Sequence, residues 1–220
     1  MNIIQRAQDI LLKPKATWPQ IAAEPASVAS IFQQWLLILA AIPALASFIG
    51  LSLLGVGGFG FRLPIASGLV QMVMSYLLAL GMVYVMALVV DALAPTFGGR
   101  KNFLAAFKLV AYSCTAAFVG GIFNLIPSLA VLGLLAAIYS IYLLYLGLPV
   151  LMGNPDDKSP AYTAVVVVVG IVASLVIGAL SAALSPGMGM GMGMMGRSAG
   201  GAEITLRTPE GEVSLDTGKL

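Results

Sequence analysis

Long apolar runs separated by short polar segments dominate the hydropathy pattern of the chain. A helix needs about 20 mostly apolar residues to cross a bilayer. Five runs meet that length, and they cover about residues 31–54, 65–90, 103–126, 129–152 and 161–184. The short connections between them are rich in glycine, proline and asparagine, which favour turns and predict antiparallel neighbours. The pattern therefore predicts an all-α integral membrane protein with a five-transmembrane-helix bundle.

The residues before the first run have a helical pattern of their own. Apolar residues recur on one face of residues 2–12, with Arg6, Gln8 and Asp9 turned elsewhere, and Pro14 ends the helix. We interpret this as an amphipathic N-terminal helix lying in the headgroup plane, with Trp18 as its interfacial anchor. The alternative is a short helix packed on the protein's own loops.

The chain after the fifth run changes character twice. Residues 185–200 form a glycine- and methionine-rich linker, and residues 201–220 alternate apolar and polar positions on either side of Pro209-Glu210-Gly211. That alternation predicts a C-terminal β-hairpin, which two strands alone stabilise only marginally in water. The predicted organisation is residues 1–30 as an N-terminal segment, 31–184 as the membrane domain, then the linker and the tail.

Thioether sulfurs in the linker suggest one metal hypothesis. These soft ligands suit Cu(I). They belong to Met188, Met190, Met192, Met194 and Met195. The alternative interpretation is a flexible linker whose methionines touch the headgroup region. Because neither histidine nor cysteine reinforces the site, no cofactor is expected.

The composition agrees with a membrane protein and excludes several function classes. Hydrophobic residues make up 60% of the chain and charged residues 9%, against about 25% charged in ordinary globular domains. A formal net charge of +2 is too small to indicate a nucleic-acid partner. The absence of histidine removes the usual general base, and no nucleophile is paired with a base. We therefore expect a protein that is not an enzyme.

Positive charges near the ends of the runs predict the orientation, since cytoplasmic loops carry an excess of lysine and arginine. With the N-terminus inside, the cytoplasmic ends hold Lys13, Lys15, Arg100, Lys101 and Lys158. The outer ends hold Arg62 and Arg197. The predicted topology thus has a cytoplasmic N-terminus and, after five spans, an external C-terminal tail.

Two charged residues fall within the apolar runs. Asp91 closes the second run and Lys108 lies early in the third. In an antiparallel hairpin they would meet near the cytoplasmic face as a membrane ion pair that fixes the two helices. Since intramembrane charges often mark transport pathways, the alternative is a coupling site of a small transporter or channel.

Small residues recur every four positions along the fifth run, at Gly170, Ser174, Gly178 and Ala182. Such a face lets another helix approach closely. It predicts either packing within the five-helix bundle or a homodimer seam.

Several segments resemble bacterial members of the Yip family (the Ypt/Rab-interacting protein superfamily). They include Pro14-Lys15-Ala16-Thr17-Trp18, Leu109-Val110-Ala111-Tyr112 and, most specifically, Tyr142-Leu143-Leu144-Tyr145-Leu146-Gly147-Leu148-Pro149. The resemblance covers about residues 10–180. It implies a five-span protein of the bacterial inner membrane with a cytoplasmic N-terminus, which organises the membrane or scaffolds partners.

The chain departs from the family pattern in two places. Family members usually carry a proline after the threonine that corresponds to Thr115, whereas this chain has Ala116. We therefore expect no proline kink in the third span. Eukaryotic relatives also carry a long soluble N-terminal region linked to small GTPases. Since only about 30 residues precede the first span here, GTPase binding is not expected.

Overall fold

The computed structural model describes residues 2–55, 63–126, 129–184, 203–208 and 211–216. These residues fall into two units, 1–173 and 174–220. The positions of Arg62, Arg197 and the five linker methionines lie outside the described residues.

Five helical stretches of the described chain are long and apolar enough to cross a membrane. They are Val28–Leu54, Ile65–Phe97, Phe103–Leu125, Val131–Met152 and Asp156–Ala179. The prediction of an all-α, five-span membrane protein is thereby confirmed. The second span extends beyond the predicted residue 90, because a 3₁₀ turn over Ala94–Phe97 continues it until Gly98 adopts a left-handed conformation.

The helices of the chain, in order, have the following bounds. They are α1 (Ile3–Leu12), α2 (Pro14–Ala23), α3 (Val28–Ile31), α4 (Leu37–Phe48), α5 (Ile65–Leu93), α6 (Phe103–Ser113), α7 (Thr115–Gly120), α8 (Ala130–Met152) and α9 (Ser159–Leu184). Two π-helical turns, Phe32–Leu36 and Ile49–Leu54, precede and follow α4 and make the first span continuous.

The third span lies at the centre of the unit formed by residues 1–173. Buried residues make up 67% of its most apolar window, against at most 39% for the other four spans. Small residues allow this central position, since Ala106 and Ala111 are fully buried and Gly121 lies against the Pro43 ring of α4. A Cβ at Gly121 would stand 2.4 Å from the Cβ of Pro43, so only glycine fits there without rearrangement.

The third span is interrupted at Cys114 even though alanine, not proline, follows Thr115. α6 ends at Ser113 and α7 begins at Thr115. The amide of Ala117, in the first turn of α7, donates to the hydroxyl oxygen of Ser140 on α8 at 2.9 Å. A side chain on a neighbouring helix thus satisfies a backbone donor that an unbroken helix would pair internally.

The N-terminal helices pack on the protein itself. Ile10, Trp18 and Ile21 are at most 1% exposed. The hydroxyl of Tyr139 on α8 donates to the carbonyl oxygen of Leu11 at 2.7 Å. The residues from α1 to the end of α2 therefore form part of the folded unit.

Two expectations for this segment need correction. Trp18 is not an interfacial anchor, because its ring is fully buried against Gly147 of α8, where the absence of a side chain makes room for it. The two faces of α1 are also not divided as predicted, since Arg6 is buried while Ile4 is 67% exposed. Arg6 is buried because its guanidinium group forms a salt bridge with the carboxylate of Glu24.

In the unit of residues 174–220, the described tail contains two strands. β1 (Glu203–Thr208) and β2 (Gly211–Asp216) pair antiparallel, with Ile204 opposite Leu215 and Leu206 opposite Val213.

Candidate functional site

Lys108 connects the third span to the N-terminal segment. Its side chain is 5% exposed. The Nζ atom donates to the carbonyl oxygens of Ile21 at 2.9 Å and Glu24 at 2.6 Å. These carbonyls lie at the C-terminal end of α2, where helix carbonyls lack internal partners and the helix dipole favours a cation. Lys108 therefore caps α2 from within the bundle.

A second cation, Arg6, also binds Glu24. The guanidinium of Arg6, 3% exposed, forms a salt bridge with the Glu24 carboxylate, whose side chain is 42% exposed. Glu24 is thus bound twice, through its carbonyl by Lys108 and through its carboxylate by Arg6. The two contacts tie α1, the end of α2 and the third span together.

A cavity of about 180 Å³ opens beside this salt bridge. Its lining comes from α1, the residues after α2, the start of the first span and the third span. It consists of Asn2, Ile3, Arg6, Glu24, Pro25, Ala26, Ser30, Ile31, Gln34, Trp35 and Tyr112. The rings of Trp35 and Tyr112 lie 4.9 Å apart between centroids. We call this space the Arg6–Glu24 cavity.

Comparisons with known proteins assign the chain to a family. A model of the Yip1 domain matches residues 9–199. The chain belongs to the Yip1 domain family. It is 28% identical over 159 residues to the inner membrane protein YohC of Escherichia coli K12, and equally to that of Escherichia coli O6:H1. The alignment covers 69% of this chain and 81% of either relative. No solved structure matches.

These matches confirm the resemblance noted from the sequence. Together with the five apolar helices, they support a multi-pass protein of the inner membrane. The Yip1 domain match begins at residue 9, within α1, and so includes Trp18, Glu24 and Lys108.

The predicted ion pair between Asp91 and Lys108 is wrong for this Yip1 domain. Among the described residues, the salt bridge within 4 Å joins Arg6 and Glu24, and Lys108 is occupied by the carbonyls of α2. Asp91 is half-buried on α5, next in sequence to Val90, whose carbonyl oxygen binds the Tyr162 hydroxyl of α9. Helix-end carbonyls compete well for a buried ammonium group, which explains the difference.

The surroundings of Asp91 are a packing site between α5 and α9. The hydroxyl of Tyr162 donates to the carbonyl oxygen of Val90, and its ring stacks on Phe97 with centroids 4.7 Å apart. The Oδ1 atom of Asp91 is buried without a hydrogen-bond partner among the described residues. Asp91 and Lys108, which the sequence predicted to form an ion pair, therefore lie in separate sets of contacts.

The small-residue face of α9 is used in part within the Yip1 domain. A Cβ at Gly170 would lie 3.5 Å from the Cε atom of Met86 on α5, which is ordinary packing distance. A Cβ at Gly178 would meet no described heavy atom within 4 Å. Ser174 and Ala182 lie on the same helix. Gly170 thus belongs to packing inside the bundle, and the homodimer seam stays a prediction.

Sequence reasoning missed the residues that build the site. The sequence pattern placed Arg6 away from the apolar face of the first helix, and it assigned no site role to Glu24, Trp35, Tyr112 or Tyr139. One signal was present: Arg6 follows Ile3 by three positions and precedes Ile10 by four, which places it among the buried positions of a helix. The metal hypothesis for the methionines falls outside the described residues, and the part of the chain that the structure describes has no group of three or more His, Cys, Asp or Glu suited to a metal.

Proposed function

We propose that this Yip1-domain protein is a non-enzymatic membrane protein that organises the bilayer or scaffolds partners. One observation carries the proposal: the buried Lys108 and Arg6 in the described chain fix the N-terminal segment onto the spans. These contacts hold the N-terminal segment in a fixed position beside the membrane-spanning helices. Such an arrangement suits the binding of lipids or proteins at the membrane surface better than a chemical reaction within the membrane.

The alternative of a small transporter or channel used Asp91 and Lys108 as its coupling pair. Its support is weakened, since Lys108 is engaged by Ile21 and Glu24. Transporters also tend to place such groups near the midplane at broken helices. Asp91 stands only two residues before the end of α5.

Flux measurements separate the two proposals. The purified full chain is reconstituted in liposomes loaded with a pH-sensitive dye, and proton and cation flux are followed under an imposed gradient. We expect no flux above protein-free liposomes. Flux that disappears in Asp91→Asn, but persists in the exposed control Asp157→Asn, would overturn the scaffolding proposal.

The proposal includes a protein partner for the C-terminal tail. The C-terminal strands offer unpaired edges to another protein, while nucleic acid and GTPases are not expected as partners. Deletion of residues 201–220 is expected to remove proteins that co-purify after mild crosslinking from the native host. An unchanged set of co-purifying proteins would argue against the tail as the binding element.

A homodimer through α9 belongs to the same proposal, and the structure sharpens its test. Gly170→Ile would disturb the contact with Met86, so its effect cannot be assigned to a second copy. Gly178→Ile is the cleaner variant, because no described atom lies within 4 Å of the added Cβ. Loss of a crosslinked dimer in Gly178→Ile would support the seam, and an unchanged oligomer in the membrane would discard it.

A further inference from the structure

Trp35, one of the residues that line the Arg6–Glu24 cavity, carries a buried donor that lacks an acceptor. Trp35 is 4% exposed, and its Nε1 atom has no hydrogen-bond partner among the described residues. Buried polar groups are normally paired, because an unmade hydrogen bond costs free energy. Trp35 lines the cavity together with the charged groups of Arg6 and Glu24. Since Nε1 has almost no accessible surface, an acceptor atom of a ligand in this cavity would satisfy the indole after a small movement of the side chains that cover it.

The length of the first span indicates that the cavity lies near the level of the lipid headgroups. The first span runs over Val28–Leu54, which is 27 residues, or about 40 Å of helix. Since the hydrocarbon core is about 30 Å thick, about 5 Å at each end extends into the headgroup layer. Ser30 and Ile31 of the cavity lie in that part of the span, and Trp35 lies one turn deeper.

We propose that the Arg6–Glu24 cavity binds the headgroup of a zwitterionic phospholipid that carries a phosphate and a primary ammonium, as in phosphatidylethanolamine. The phosphate oxygens accept hydrogen bonds from the Arg6 guanidinium and from Trp35 Nε1. The ammonium group donates to the Glu24 carboxylate, whose side chain is 42% exposed. Arginine favours phosphate because its planar group presents several donors in one plane.

The charges of the cavity select among lipids. Arg6 and Glu24 together are neutral, and the Lys108 ammonium is directed at two backbone carbonyls. A neutral zwitterion matches such a pair, whereas an anionic lipid without an ammonium group, such as phosphatidylglycerol, brings no cation to Glu24. A choline headgroup has a quaternary nitrogen without N–H donors and cannot hydrogen-bond the carboxylate.

The size of the cavity agrees with a headgroup. Its volume of about 180 Å³ corresponds to about six water molecules at ~30 Å³ each. That space suits a phosphoethanolamine group and is too small for a nucleotide. Ile3, Pro25 and Ala26 on the rim provide apolar surface for the glycerol and the first methylenes of the acyl chains.

The inference goes beyond the proposed scaffolding role and stands apart from its tests. Flux in liposomes decides between scaffolding and transport, whereas lipid selectivity decides whether the cavity holds a headgroup. The scaffolding proposal and the headgroup proposal can therefore each fail while the other holds.

Native mass spectrometry of the delipidated full chain tests the proposal. The probes are phosphatidylethanolamine, phosphatidylglycerol and phosphatidylcholine with identical acyl chains, and free phosphoethanolamine. Wild-type protein is expected to retain phosphatidylethanolamine about tenfold more tightly than the other two lipids, as one charge-assisted hydrogen bond implies. Equal retention of the three lipids overturns the proposal. Free phosphoethanolamine bound as tightly as the lipid shows a site for a soluble headgroup and overturns the lipid assignment.

The two tryptophans of the chain provide a matched pair of variants. Trp35→Phe removes the Nε1 donor in the cavity while keeping an aromatic ring against Tyr112. Trp18→Phe removes an equally buried and unpartnered Nε1 that lies outside the cavity. Binding of phosphatidylethanolamine is expected to weaken about tenfold in Trp35→Phe and to stay within twofold in Trp18→Phe. If Trp35→Phe and Trp18→Phe bind phosphatidylethanolamine equally well, the proposed role of the Trp35 indole is wrong.

A second variant changes selectivity and does not depend on the ring packing. Glu24→Gln keeps the backbone carbonyl that Lys108 binds and removes the partner of the ammonium. The preference for phosphatidylethanolamine over phosphatidylglycerol is expected to disappear or reverse. Asp157→Asn, the same charge change on an exposed loop residue, is expected to keep it. A preference that survives in Glu24→Gln overturns the proposal.

Discussion

The missing side chain at Gly147 decides how closely the N-terminal segment approaches the bundle. A Cβ at this position would stand 2.5 Å from the Cδ1 atom of Leu109 and 2.8 Å from the ring of Trp18. Gly81 on α5 has nothing within 4 Å of its Cβ position. The two glycines therefore separate the effect of crowding from the ordinary preference of helices for alanine.

We predict opposite effects of alanine at the two glycines. Gly147→Ala should lower the free energy of unfolding by about 1–3 kcal/mol, because it overpacks the contact with Trp18. Gly81→Ala should raise it by about 0.5–1 kcal/mol, because alanine favours the helix. Thermal unfolding in detergent, followed by tryptophan fluorescence, measures both. Equal stability of the two variants would contradict the close contact.

Lys108 allows a second prediction about a single residue. Lys108→Met keeps most of the side-chain volume but leaves the carbonyls of Ile21 and Glu24 without their donor. The expected loss of stability is about 1–3 kcal/mol. Hydrogen exchange should rise in α1 and α2 but not in α5. Lys101→Met, at an exposed lysine outside the spans, should change neither quantity.

Among the elements, the third span differs most from what its sequence indicated. The residues 103–126 predicted a continuous helix, and the absence of proline after Thr115 predicted no kink. The helix breaks at Cys114, and just after the break Ser140 of α8 accepts a hydrogen bond from the amide of Ala117. A hydroxyl that arrives from another helix leaves no periodic signal in the broken segment, so local sequence reasoning could not place the break.

The break should depend on the Ser140 hydroxyl. In Ser140→Ala the half-buried amide of Ala117 loses its acceptor, and we expect destabilisation by about 0.5–1.5 kcal/mol. Ser67→Ala is a matched control, because the Ser67 side chain is exposed and its hydroxyl donates to the Pro64 carbonyl in the same turn. Denaturant unfolding in a common detergent measures the two variants. A Ser140→Ala protein as stable as wild type would mean that the break does not rely on this hydroxyl.

At the scale of the whole molecule, hydropathy was sufficient for the spans and insufficient for the site. Each run of about 20 apolar residues became a spanning helix, because lipid forces every backbone group into internal hydrogen bonds. The same reasoning paired Asp91 with Lys108 by proximity along a hairpin. It had no means to bring Lys108 to Glu24, which lies 84 positions away in sequence. Contacts of that kind depend on the packing of α2 against the bundle, which periodicity does not encode.

The orientation of the molecule gives the last prediction. The excess of lysine and arginine at one set of span ends predicts a cytoplasmic N-terminus. Cys114 is the single cysteine of the chain, so Cys114→Ser provides a background for single-cysteine variants. In intact spheroplasts, a membrane-impermeant maleimide should label Ser214→Cys in the tail and leave Gln8→Cys and Lys158→Cys unlabelled. Detergent lysis should expose all three. Labelling of Gln8→Cys before lysis would show that the predicted topology is inverted, with the Arg6–Glu24 cavity in the outer leaflet. The lipid-binding assay in detergent would be unaffected by such a result, so orientation and headgroup selectivity remain independently testable.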